Sequence, residues 1–253
     1  MKNINSKLQE KVKTITINAD KSIFLVGPIS LPLKVREEVK LFNWYSWIST
    51  TDIPDTETLL NSLTTLNFNE FQQSSILVYG DFENSDKSIV RLHSICHTGD
   101  IFGSQKCECG FQLKKSLETI TEYGSGALFY LANHEGRGIG LFNKALTYLL
   151  QEDGMDTVEA NNAIGFDDDL RDYEEPAHLL KYFRRKPIDV ISNNPSKINF
   201  LTKMGIDVAN QITLWDKLSS YNERYIETKI NKSGHVRATN DSDLNIVGGI
   251  YNA

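Results

Sequence analysis

Cys96, Cys107 and Cys109 are the chain's three cysteines, and they stand together in RLHSICHTGDIFGSQKCECGFQL with the spacing C-x10-C-x-C. A structural zinc site closes its tetrahedron with four protein ligands, whereas a catalytic one leaves a position for water or substrate. Three thiolates and no fourth therefore point to a zinc that does chemistry. Two other readings stay open on spacing alone. Buried cysteines also serve as small hydrophobes, and His93 or His97 can complete a structural site. A disulfide is not expected, because an odd count in a chain whose N-terminus, MKNINSKLQEKVKT, lacks an apolar signal core reads as a reducing cytosol.

The composition sets the outer bounds. With 253 residues, 40% hydrophobic and 24% charged, the chain reads as a soluble globular protein. A net charge of −6 without a basic stripe argues against nucleic acid as partner. The densest basic run, Arg184 to Lys186, reads as a solvated helix end. No apolar run is long enough to span a membrane, so cytoplasmic residence is the expectation.

Elements must bring these residues together. Residues 1–20 read as a polar, weakly ordered segment. SIFLVGPISLPLKV (22–35) reads as one or two short strands broken by prolines, and LFNWYSWI (41–48) as aromatic core. SSILVYGD (74–81) and SIVRLHSI (88–95) read as a strand pair across FENSDK. GFQLKKSLETITEYG (110–124) has helical apolar spacing and a glycine stop. Its start follows the cysteine pair, so thiolates lie near a helix N-terminus, which favours negative charge. GALFYLA (126–132), the loop NHEGRG and the helix IGLFNKALTYLLQEDG make a strand–loop–helix seat for phosphate. IDVIS, NNPSK, INFLTKMG and IDVAN repeat the alternation, which places the chain in the α/β class. The last twenty or so residues read as a mobile polar tail.

VRLHSICHTGDIFGSQKCECGFQL resembles the zinc and substrate segment of GTP cyclohydrolase II. HEGRGIGLFNKALTYLLQEDGMDTVEANNAIGFDDDLRDY is similar to the rest of that active site, and ISNNPSK and YNERYIETK to later segments. The likeness runs from about residue 75 to about 235. It implies an α/β fold with a mixed β-sheet and flanking helices. The organisation it suggests is a polar segment (1–20), an enlarged N-terminal extension packed on the core (21–74), a catalytic domain (75–235) and a flexible tail (236–253).

The resemblance also implies roles. Cys96, Cys107 and Cys109 match zinc ligands. Arg91, Leu92, His93, Ser94 and Ile95, with Gln112, match nucleotide-contacting positions, as do Glu135, Gly136 and Arg137 of the EGR element. Thr157, Ser192 and Lys197 match further contacts, and Tyr148, Asp169 and Arg171 match the catalytic trio. The implied reaction opens the imidazole ring of GTP, releasing formate and pyrophosphate, with catalytic Zn²⁺ and with Mg²⁺ on the nucleotide phosphates. A homodimer is implied too.

Each motif also has a plainer reading when taken alone. DDDLRDYEE reads as a solvated acidic helix start, and Glu135 with Arg137 as an exposed ion pair. Tyr148 reads as a helix core residue, and Ser192 with Lys197 as a cap and a solvated lysine. Two places depart from the family pattern: Ile95 stands where many members carry glutamate, and Asn133 and His134 precede EGR in place of arginine and glutamine. GPISLP is reminiscent of relatives in pyrimidine catabolism. A diverged relative acting on another nucleotide or a uracil derivative, and a zinc-stabilised nucleotide-binding protein without catalysis, are the competing functions.

Overall fold

The computed structural model describes residues 2–68, 71, 73–216 and 218–236. Strands β1 (Val12–Thr16), β2 (Ser22–Val35), β3 (Glu38–Thr50), β4 (Ser74–Tyr79), β5 (Ile89–Ser94), β6 (Gly126–Leu131), β7 (Ile188–Ile191) and β8 (Val208–Ile212) form one sheet in the order β1-β2-β3-β4-β6-β5-β7-β8. Pairing is antiparallel from β1 through to β6 and parallel across β6, β5, β7 and β8. The class is α/β, with a mixed sheet and flanking helices.

Alternate residues of the central strands feed two cores. Ile76, Val78, Val90, Leu92, Ala127, Phe129 and Leu131 face one side, where Ala177, Leu180 and Leu201 of α6 (Glu174–Phe183) and α7 (Pro195–Lys203) cover them. Leu77, Ile89, Leu128 and Ile191 face the other, under Leu113, Leu117 and Ile120 of α3 (Cys109–Tyr123). Burial on both faces explains why these strands read as continuous apolar runs rather than alternating ones.

Several expectations are corrected. Residues 1–20 are not weakly ordered throughout: they hold helix α1 (Lys2–Lys11) and strand β1. The proline-containing stretch is one strand, β2, with a register shift between Val26 and Ile29. β4 and β5 are not paired with each other, because β6 lies between them. Their connection is not a hairpin turn. Arg184, 5% exposed, pins it by donating to the carbonyls of Phe82 (2.8 Å) and Ser85 (2.9 Å), and it also donates to Pro187 (2.9 Å). Arg184 is thus a buried clamp and not a solvated helix end. Apart from Val236, the tail at 236–253 lies outside the described residues.

Three chain segments leave the carboxyl ends of adjacent parallel strands: Ile95–Cys96 after β5, Ala132–Gly138 after β6 and Ser192–Lys197 after β7. In open α/β sheets this edge is where ligands bind. Helix α2 (Thr56–Asn61) lies earlier in the chain, and α4 (Gly140–Glu152), α5 (Thr157–Ala163) and α8 (Glu223–Asn231) complete the set. No helix among the described residues is long and apolar enough to cross a membrane.

Candidate active site

Cys96 lies two residues past the end of β5 and caps a single π-helical turn (His97–Ile101), and Cys107 and Cys109 stand at the start of α3. Two glycines let these segments approach. A Cβ on Gly99 would lie 2.8 Å from Cys107 Sγ and 3.2 Å from Cys96 Sγ. A Cβ on Gly110 would lie 2.3 Å from the Gly99 carbonyl oxygen. The three sulfurs fall within 4.8 Å of one another, with Cys96 and Cys107 at 3.6 Å. A tetrahedral zinc with bonds of about 2.3 Å separates its sulfurs by about 3.8 Å, so the spacing fits.

The chemistry of the donor set fits as well. Hydrogen bonds from Cys107 and Cys109 hold the Cys96 thiol far below its ordinary pKa, against burial and with help from the Lys144 charge. Cys107 and Cys96, together with burial, push Cys109 well above its own. One thiolate is favoured and three repel, so a cation is what would ionise the whole set. Among the described residues the cluster is three thiols alone. His93 is committed elsewhere, its Nε2 at 3.0 Å from Asp100 Oδ2 and its ring stacked on Tyr130, and His97 packs against Phe102.

Asp100 and Lys144 shape the cluster from either side. Asp100 accepts from the Cys96 backbone N–H (3.0 Å) and from Tyr130 Oη (3.0 Å). Burial lowers the His93 pKa despite Asp100, so neutral His93 donates its Nε2 proton to that carboxylate. Lys144 Nζ donates to Cys96 Sγ (3.2 Å) and to Glu135 Oε1 (2.7 Å). Glu135 Oε2 accepts the His97 N–H (2.7 Å). Glu135 therefore pairs with Lys144 and not with Arg137, which bonds Asp168. The EGR turn is tight: Gly136 (φ 60°) and Arg137 (φ 63°) are both left-handed, which for arginine costs about 1–2 kcal/mol.

The thiols open onto a cleft of about 1100 Å³, its mouth included. Arg91, His93, Ser94, Ile95 and Gln112 line it from β5 and α3. Glu135, Gly136, Arg137, Tyr148 and Thr157 line it from the EGR turn, α4 and α5, and Arg171, Ser192 and Lys197 from beyond. Tyr148 is not a core residue: its Oη lies 3.4 Å from Thr98 Oγ1, which is 3.6 Å from Cys96 Sγ, and burial raises its pKa. Arg171 is gripped by Asp169 at two points, Nε to Oδ1 (2.7 Å) and Nη2 to Oδ2 (2.5 Å). Burial opposes the Arg171 charge, but Tyr173 and Asp169 hold its pKa above the ordinary value.

Two residues of the expected set stand apart from the lining. Leu92 turns into the apolar core, and only its carbonyl takes part, accepting from Lys197 Nζ at 3.0 Å. Asp169 reaches the cleft through Arg171. DDDLRDYEE is a loop up to Glu174, where α6 begins, and not a helix start. The cap of α7 is Asn194, whose side chain accepts the Ser196 N–H. Ser192 is buried behind it, and Lys197 points inward and is not solvated. Burial, then Arg91 and Arg171, bring the Lys197 pKa well below its ordinary value. Gln112 engages both ends of its amide, accepting from Arg91 (2.6 Å) and donating to the Leu214 carbonyl (3.1 Å).

Sequence reasoning passed over Asp100, Lys144, His134 and the α8 residues Tyr225 and Lys229. Lys144 had a signal, since it lies one turn before Tyr148 on the same helix face. Asp100 had a local signal too, standing four residues after Cys96, whose N–H it accepts. Lys229 had none, because its partner is remote: Lys229 Nζ pairs with Glu108 Oε1 at 3.1 Å, tying α8 to the loop between the cysteines.

Comparison with known proteins points the same way. The family model described as GTP cyclohydrolase II matches residues 61–213. GTP cyclohydrolase-2 of Colwellia psychrerythraea is 44% identical over 165 residues, covering 65% of this chain and 81% of that protein. A riboflavin biosynthesis protein RibBA of Staphylococcus epidermidis is 41% identical over 234 residues, 91% of this chain and 54% of that protein. The RibBA of Staphylococcus aureus is 53% identical over 147 residues, 58% of this chain and 37% of that protein. The chain spans about half the length of the Staphylococcus epidermidis relative, or less for the others of that name.

Proposed function

Because the chain belongs to the GTP cyclohydrolase II family, we propose that it hydrolyses GTP to 2,5-diamino-6-(5-phosphoribosylamino)pyrimidin-4-one, releasing formate and pyrophosphate in riboflavin biosynthesis. The observation that carries this reading is the convergence of a thiol triad and several buried cations on one cleft. Cys96, Cys107 and Cys109 would hold zinc, which when bound supplies the Lewis acid that activates water against the purine ring.

The remaining residues receive the nucleotide. Arg91, Arg137, Arg171 and Lys197 bring positive charge to the cleft wall. Burial, with Arg91 and Arg171 beside it, disfavours the Lys197 charge, and a polyanion between these three cations would favour it, so a triphosphate is matched to this wall. Arg171 remains a guanidinium at any working pH and acts electrostatically at the phosphate, aimed by Asp169. Tyr148 keeps its phenolic proton and holds it near Thr98, where it can orient or protonate a group reacting beside the thiols. Mg²⁺ enters with the nucleotide phosphates. The protein works as a cytoplasmic homodimer on a small-molecule substrate, without nucleic acid or membrane.

The test is one incubation of zinc-loaded protein with GTP and Mg²⁺, following formate and pyrophosphate together. Equal amounts of both are expected. Pyrophosphate without formate would refute ring opening and leave a phosphate-cleaving enzyme. Neither product would move the assignment to a diverged relative, with Ile95, an apolar side chain in the cleft wall, as the first residue to change. Nucleotide binding without turnover would leave the non-catalytic, zinc-stabilised protein.

A further inference from the structure

Lys144 is a buried lysine, 8% exposed, and its ammonium is divided between a thiol and a carboxylate. It reaches Cys96 Sγ at 3.2 Å and Glu135 Oε1 at 2.7 Å. The surroundings hold it there. The other Glu135 oxygen is fixed by the N–H of His97, the residue after Cys96. The EGR turn wraps the lysine stem so closely that a Cβ on Gly136 would lie 3.1 Å from Lys144 Cβ. The Tyr148 ring, one helical turn on, lies with its centroid 5.8 Å from Nζ. A salt bridge to Glu135 alone would not require the ammonium to touch a sulfur.

We propose that Lys144 is the positioning and charge-compensating residue of the thiol site, donating to Cys96 Sγ so that the sulfur gives less electron density to the bound metal. The proposal rests on the metal reading given above. Its logic is charge arithmetic: three thiolates on a divalent cation leave one net negative charge in a buried place. Such a charge is costly in low dielectric, and the electron-rich sulfurs blunt the cation as an acid. The ammonium is shared with the Glu135 carboxylate, so it compensates the sulfur charge locally and not the net charge of the group, and it withdraws density from the one sulfur it touches. Hydrogen bonds to charged partners are strong at short range in a dry site. Groups behind the ligands tune metals in this way in general. Glu135 then has a second task, aiming the ammonium, in addition to any contact with nucleotide.

The test uses the full chain loaded with Co²⁺, whose thiolate-to-metal charge-transfer band reports the electron density on sulfur. Lys144→Met should move that band to lower energy, and Lys144→Arg should leave it near its original position. Lys144→Gln, a neutral donor, should fall between them and serves if the methionine variant does not fold. Glu135→Gln keeps an amide oxygen that can still aim the ammonium and should leave the band unshifted toward lower energy, which separates loss of the sulfur contact from loss of the ion pair. Formate release by the zinc-loaded methionine variant should drop by about 10–100-fold while GTP affinity changes little. A band identical in wild type, Lys144→Met and Lys144→Gln would overturn the proposal and leave the metal reading intact. No thiolate band in the wild type would overturn both.

Discussion

His134 shows how a single side chain can be fixed by its neighbours. Its Nε2 lies 2.7 Å from the Asp172 carbonyl and must donate there, which leaves Nδ1 bare to accept from Ser94 Oγ at 3.1 Å. The Ser94 oxygen in turn receives Arg171 Nη1 at 3.3 Å. Burial, outweighing the Asp172 contact, pulls the His134 pKa down to about 3, against about 6.5 in an unfolded chain. The unfolded state therefore binds the proton first as pH falls. The stability from neutral His134 is complete above about pH 6.5 and declines by about 1.4 kcal/mol per unit toward pH 3. His235, brought down to about 2 by burial, acts with the same sign. Urea unfolding between pH 7 and pH 4.5 should show stability falling with acid, and less steeply in His134→Gln, which keeps a donor and an acceptor. Equal slopes would mean that His134 is not held neutral. At Arg171 the two-point grip of Asp169 matters as much as the charge. Lysine offers a point charge in place of a fork, so Arg171→Lys should lose about 1.5–3 kcal/mol of interaction, or about tenfold to a hundredfold in turnover. Near-normal turnover would remove that role.

Elements were legible in the sequence where the signal is local, and not where it depends on a partner. Helix α3 could be read from its spacing and from its stop at Gly124, which is left-handed at φ 86°. The strands around it showed as apolar runs, and the cysteine spacing pointed to the cluster of three thiols that the fold brings together. The neighbours of each strand did not show. Nothing in SSILVYGD or SIVRLHSI says that β6 lies between β4 and β5, since this depends on the parallel crossover through α3. Arg184 looked like a solvent residue because its partners, the carbonyls of Phe82, Ser85 and Pro187, carry no side-chain signature. Gly110 is the case where an element and the site meet. In the first turn of α3 an alanine would gain up to about 1 kcal/mol of helix propensity. Its Cβ would also collide with the Gly99 carbonyl at 2.3 Å, and overpacking of this kind costs about 1–3 kcal/mol. The clash is with backbone and cannot be relieved by a rotamer, so it wins. Gly110→Ala should lower the melting temperature and the zinc content together. Unchanged zinc at full stability would show that the two ligand segments can part without loss.

At the scale of the molecule, one sheet joins two regions that the family match divides. The match begins at residue 61, yet β1, β2 and β3 continue the same sheet. They are tied to the site side through Glu175 at the start of α6, which accepts from Trp47 Nε1 (3.1 Å) and Ser49 Oγ (2.5 Å) and pairs with Lys21 (2.8 Å). Helix α4 faces both ways. Lys144, Thr147, Tyr148 and Gln151 line the cleft. Phe142, Leu146 and Leu149, spaced by four and three on the opposite face, are 77%, 37% and 60% exposed. An apolar stripe of this kind marks an interaction surface more often than bare solvent contact. A second copy of the chain is the occupant that fits the proposed homodimer, since a twofold axis lets the same stripe cover itself. It would also bury the back of the helix that positions Lys144 and Tyr148. Sedimentation at micromolar concentration should give the mass of two chains for wild type and of one for Phe142→Glu/Leu149→Glu, with the thiolate-to-cobalt band retained in the double variant. A wild-type protein that sediments as one chain would refute the homodimer. A double variant that still sediments as two would move the interface off α4.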